Sequence, residues 1–211
     1  MSALKSKIKA AKQPLLPLVK DTEVEAYEFI RRGLRDLGWI VKNPSLNTGG
    51  QVWTQNQCLS HLEIKFALDK KRPENIVKIS ESSVWVIEAK ASRNQLALAV
   101  DEAVNYYADR INNCAPKLRA VLASGVAGTE ESGYLIRTKI LVDGTWKAVT
   151  INQQEATGLL SPQDVQTLLE QKTSDIHEFS PPPNGCSFRL PSGLTRSSTW
   201  GALTRMTAPR R

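Results

Sequence analysis

Two short β-branched runs, Ile76-Val77-Lys78-Ile79 and Val84-Trp85-Val86-Ile87, flank the polar break Ser80-Glu81-Ser82-Ser83. Apolar runs set that close around a polar turn fold as a β-hairpin. This hairpin constrains the whole chain because of what stands at its open end: Glu74 just before the first run, Glu88 and Lys90 at the end of the second. A tight turn between Ser80 and Ser83 sets Glu74 opposite Ala89, and a turn one residue longer sets it opposite Glu88. Side chains alternate across a strand, so Glu88 and Lys90 share a face. Opposed residues lie about 5 Å apart at Cβ, and two carboxylates that close repel unless a proton or a cation sits with them. A hard dication such as Mg²⁺, which takes one or two carboxylates with water and phosphate oxygens, suits that ligand set.

The chain has 211 residues, enough for one well-buried domain with additions. No run of about 18 apolar residues occurs, and Pro14 and Pro17 interrupt the only apolar stretch near the start, so a cytoplasmic protein without a membrane span is expected. The formal charge of +7 is unevenly placed. Residues 1–20 hold five lysines and no acid, and residues 181–211 hold five arginines and no acid. The stretch between them has a net charge of −3, so the sum alone says little about nucleic acid. Three widely spaced cysteines with no CxxC pair argue against a zinc site. Neither GxxxxGK[ST] nor GxGxxG occurs, which argues against an ATPase and a dinucleotide enzyme.

Three regions follow in order. Residues 1–20 form a lysine-rich arm. A helix then runs from a cap at Asp21 or Thr22 to Leu37, with Glu23, Tyr27, Ile30, Leu34 and Leu37 within about 40° of one line. Glu23 there either favours the helix N-terminus electrostatically or meets a cation beside the hairpin. Gly38 to Val41 is expected to be extended and residues 43–56 a loop, with a short helical piece over 59–68. Lys70, Lys71 and Arg72 stand directly before the hairpin, either as a solvated turn or as phosphate contacts. Beyond Lys90 the apolar period changes to that of a helix over residues 92–113, ended by Pro116. A buried strand, Leu118 to Ala123, is expected to stop at Ser124-Gly125, and Asp143-Gly144 marks a second hairpin. Ser161 caps a last helix with Pro162 at its first position. The order of elements predicts an α/β fold, a mixed central sheet with helices on both sides. Residues 176–211, rich in Pro, Ser and Arg, lack a periodic apolar stripe and read as a disordered tail. Their shift in basic-residue usage is what a truncated gene read onward out of frame would produce.

The set Glu23, Pro73-Glu74 and Glu88-Ala89-Lys90 resembles the PD-(D/E)xK nuclease superfamily, with glutamate at the second motif position. Thr22-Glu23, the Leu34 to Trp39 helix ending, the Val-Ile-Glu-Ala-Lys run and the helix after it look more narrowly like the N-terminal nuclease domain of type I restriction enzymes and of restriction-methyltransferase fusions. The resemblance implies a restriction-endonuclease-like three-layer core over residues 21–175. It implies a Mg²⁺-dependent DNA endonuclease of a restriction-modification system, with Mn²⁺ as the other ion such a site accepts. By that resemblance Glu74, Glu88 and the Ala89 carbonyl would hold the metal, and Glu23 would support it. Lys90 would orient or help deprotonate the attacking water, with its pKa lowered beside a dication, and would stabilise charge on the phosphate. Lys70, Lys71, Arg72 and Arg93 would contact double-stranded DNA, and methyltransferase and specificity subunits would be partners. Glu102 and Tyr106 stand where that family often carries glutamine and tyrosine. The competing expectations are a salt-bridged strand end with no catalytic role, and an inactive module that binds nucleic acid or docks to such subunits.

Overall fold

The structure is a computed structural model that describes residues 23–173. The expected arm 1–20, the tail 176–211 and the side chain of Glu23 lie outside the described residues. The described part is mixed α/β. Its central sheet has the order β1 (Val52–Thr54), β2 (Asn75–Lys78), β3 (Ser83–Lys90), β4 (Arg119–Thr129), β5 (Gly133–Val142) and β6 (Thr145–Ala148). All neighbours are antiparallel except β3 and β4. A parallel pair needs a crossover, and the helical segment between them supplies it: α3 (Leu96–Asp101), a π-helical stretch (Glu102–Ala108) and α4 (Asp109–Cys114). A two-stranded ribbon, β7 (Thr150–Ile151) and β8 (Gln154–Glu155), precedes the last helix.

The buried side chains fall into two clusters, as a sheet covered on both faces requires. One packs Val84 and Val86 of β3 against α2 (Leu62–Leu68) and the crossover residues Val100, Ala103, Val104, Tyr107 and Ile111. The other packs Trp85, Ile87 and Ala89 against Ala26, Ile30 and Leu34 of α1 (Glu23–Asp36) and Val165 of α5 (Pro162–Thr173). The architecture is therefore a three-layer α/β core. Among the described residues no helix is long and apolar enough to cross a membrane.

Four local expectations change. Leu37 is exposed, because α1 ends at Asp36 and its buried line runs through Ala26, Ile30 and Leu34. Trp39 lies outside any strand and is held by its Nε1–H donating to the Leu160 carbonyl at 2.8 Å. The expected loop 43–56 contains the edge strand β1. Strand β4 continues past Ser124-Gly125 to Thr129. Ser124 stays buried because its hydroxyl is satisfied sideways by Trp85 and Thr138, and Gly125 is needed inside the strand because a Cβ there would meet the Val100 nitrogen at 2.5 Å. Glycine here serves close approach of sheet to helix rather than a turn.

Candidate active site

The hairpin register resolves the choice left by the sequence. Asn75 pairs with Ile87 and Ile76 with Val86, the register that leads toward Glu74 opposite Glu88; the ladder itself ends at Asn75, and Glu74 lies in a bend just before it. The longer turn is the one formed: both Ile79 N–H and Ser80 N–H reach the Ser83 carbonyl, at 2.9 and 3.1 Å. Alternation along β3 turns Glu88 and Lys90 toward the crossover face, away from Trp85 and Ile87. Both carboxylates are buried, Glu74 at 8% and Glu88 at 4% exposure.

Lys90 is the nearest cation to Glu88. Its Nζ lies 3.0 Å from Glu88 Oε1 and 2.7 Å from Glu102 Oε2, on the first residue of the π stretch. Glu88 Oε2 is buried with no hydrogen-bond partner. Burial, with Glu74 and Glu102 adding to it, outweighs the pull of Lys90 and raises the Glu88 carboxyl to about 8. Burial alone would lower Lys90, but Glu102 and Glu88 outweigh it and hold the ammonium above its ordinary value. That direction belongs to the metal-free arrangement, in which carboxylates are the charged neighbours of Lys90; the lowering expected of Lys90 was one beside a bound dication. Tyr107 closes the same face, its hydroxyl donating to the Arg72 carbonyl at 3.3 Å, and Glu88 and Glu102 add to the burial that raises its pKa.

Glu74 accepts a bond from Gln55 Nε2 at 3.2 Å and opens onto a cleft of about 380 Å³ lined by Val24, Tyr27, Thr54, Gln55, Asn56 and Glu74. Ala89, the third expected metal ligand through its carbonyl, is buried on β3 and pairs with Val126 of β4, while the β2–β3 ladder reaches only to Asn75 and Ile87.

These groups bear on a hard cation in two ways. The partnerless Glu88 oxygen and the buried Glu74 carboxylate just beyond the end of β2 are oxygen donors of the kind Mg²⁺ prefers. Yet among the described residues no group of three or more His, Cys, Asp or Glu side chains is arranged to hold a metal ion. The oxygen donors fit a site of two carboxylates completed by backbone and water, not an all-protein cage.

The other expected contacts are spread around this end of the sheet. Lys70 is exposed. Lys71 Nζ sits 3.3 Å from the centre of the Tyr106 ring, and Arg72 donates to Asn56 Oδ1 at 2.7 Å. Arg93 is exposed but turned to the β4–β5 turn, where it donates to the Ser132 carbonyl at 2.8 Å. Glu102 was not among the residues expected at the site. Its signal was its position on the edge of the apolar stripe, beside Ala99 and Ala103, on the crossover that must cover β3. Comparison of the chain with protein-family models, with curated proteins and with solved structures returns no match.

Proposed function

We propose that the chain is a Mg²⁺-dependent DNA endonuclease acting in the cytoplasm within a restriction-modification system, with methyltransferase and specificity subunits as partners. The observation that carries this reading is the juxtaposition of Glu74 and Glu88 across the open end of the hairpin, with Glu88 Oε2 buried and partnerless. A buried carboxylate oxygen with nothing to bond is costly and calls for a ligand that supplies positive charge. Bound there, Mg²⁺ or Mn²⁺ would neutralise the phosphodiester and ease deprotonation of water near neutral pH. Lys90, protonated and held beside Glu88, serves to orient water and to stabilise negative charge developing on the phosphate. Lys70, Lys71 and Arg72, close in sequence to Glu74, would contact the DNA backbone, and Arg93 with them.

A second reading is an inactive module that binds nucleic acid or docks to the same subunits. It is favoured by Lys90 already compensating Glu88, and by the lack of a three-ligand cluster among the described residues. Incubating the purified chain with supercoiled plasmid and Mg²⁺ or Mn²⁺ separates the two. Metal-dependent nicking that Glu88→Ala and Lys90→Ala both lose supports the nuclease. Equal nicking by all three proteins, or DNA binding with no nicking in the presence of the partner subunits, contradicts it.

A further inference from the structure

We propose that the cleft beside Glu74 is a nucleobase pocket, which takes one unpaired base of a nucleic acid strand while the phosphate attached to that base meets Arg72. The strand as ligand rests on the nuclease reading; the fit of the cleft to a base does not. Val52 and Val77 belong to the buried cluster under α1, and Trp53 and Ile76 to the one under the crossover. Alternation therefore turns Thr54 and Asn75, which pair across β1 and β2, toward α1. The cleft opens on that side, between Val24 and Tyr27 in the first turns of α1 and Thr54, Gln55 and Asn56 at the end of β1, with Glu74 also lining it. Glu88 and Lys90 face the crossover. A ligand in the cleft thus lies beside the proposed cation site rather than in it.

The chemistry of the walls selects a neutral ring that forms hydrogen bonds. None of the described residues lining the cleft is basic, so nothing in its interior draws a phosphate. A guanidinium only donates, so Arg72 holds the Asn56 oxygen, at 2.7 Å, and leaves the Asn56 amide nitrogen open. A carboxylate only accepts, so Gln55 gives Glu74 an N–H at 3.2 Å and keeps its own oxygen open. Among the described residues neither open atom forms another hydrogen bond. An open donor and an open acceptor on adjacent residues match the edge of a base, which presents the same two kinds of group side by side. Tyr27 supplies ring surface for stacking, with the Arg31 guanidinium 5.6 Å from the ring centre. Asn75, beside Thr54, is fully buried with neither amide atom bonded, so the polar groups on this face are not closed within the fold. The volume of about 380 Å³ is at the small end of ligand pockets, about 300–1,000 Å³. A base in a duplex turns its edge to its partner, so only an unpaired base can enter.

Titration of the metal-free full chain with uncharged deoxynucleosides, followed by ¹H–¹⁵N NMR, tests this without any cleavage. Deoxyadenosine, deoxycytidine, deoxyguanosine and thymidine are added in separate titrations. At least one should shift the Thr54, Gln55 and Asn56 amides to saturation, and inorganic phosphate should not. Asn56→Asp keeps an oxygen for Arg72 but removes the open donor, and should weaken that binding at least about tenfold; the probe carries no charge for the new carboxylate to repel. Tyr27→Leu should weaken it by a similar factor through lost stacking. If circular dichroism shows Tyr27→Leu unfolded, Asn56→Asp, at an exposed residue, decides alone. An oligonucleotide should shift the same amides as a single strand and not as a blunt duplex. No saturating shift with any nucleoside, undiminished binding by Asn56→Asp, or equal shifts with the duplex overturns the pocket. Nucleoside binding by a chain that does not nick DNA even with its partner subunits contradicts the nuclease reading and leaves the pocket standing, whereas metal-dependent nicking without nucleoside binding does the reverse.

Discussion

Trp85 and Glu88 lie three residues apart on β3, both buried, and their polar atoms are treated in opposite ways. On the α1 side, Trp85 Nε1–H donates to Ser124 Oγ at 2.8 Å, and Ser124 pairs with Thr138 Oγ1 at 2.6 Å. That network is closed within the sheet. On the crossover side, Glu88 shares one oxygen with Lys90 and leaves the other without a partner. A closed buried network specifies the fold, whereas an open one costs stability and persists where chemistry needs it. The difference separates the part of β3 that holds the layers together from the part proposed to meet a cation.

The comparison can be broken at four places, in descending order of expected effect. Trp85→Ala removes the largest fully buried side chain among the described residues and the indole N–H that Ser124 accepts from. Urea unfolding should show a loss of about 3–5 kcal/mol, and a loss under about 1 kcal/mol would mean the closed side is not what holds the core. Glu88→Ala and Lys90→Ala should each slow metal-dependent nicking by about a hundredfold or more, with circular dichroism unchanged; retained rates would detach the open side from chemistry. Ser124→Ala leaves the indole N–H and Thr138 facing an apolar methyl, and should cost about 1–3 kcal/mol. Glu88→Gln should act in the other direction. It removes a carboxylate whose proton affinity burial has raised to about 8, so unfolding should move to higher urea by about 1 kcal/mol, while metal binding falls. A destabilised Glu88→Gln would place Glu88 among the residues that hold the fold.

Most of the architecture was legible because it follows from local periodicity. The hairpin runs, the Asp143-Gly144 turn with both residues at positive φ, and the Ser161 cap returning its bond to the Asp164 N–H at 3.1 Å are short-range features. What escaped depends on partners distant in the chain. Ser124-Gly125 looks like a strand terminus until Trp85 and Val100 are brought against it. Asn75, fully buried with both amide atoms partnerless, reads in the sequence as a polar start to a strand. Of the candidate residues, Glu74, Glu88 and Lys90 could be grouped from strand alternation and turn length. Glu102 could not be joined to them by counting, because its reach to Lys90 depends on the π stretch and on the tilt of a helix over the sheet. Glu23 opens α1, but its side chain is beyond what the structure describes.

The open end of the hairpin is proposed as a cation site built from Glu74 and Glu88. Titration calorimetry with Mn²⁺, on the wild type beside Glu74→Ala and Glu88→Ala, tests it without requiring partner subunits or DNA. Saturable binding by the wild type that both variants lose is the expected result. Binding of equal strength in all three, or none in the wild type, would contradict it.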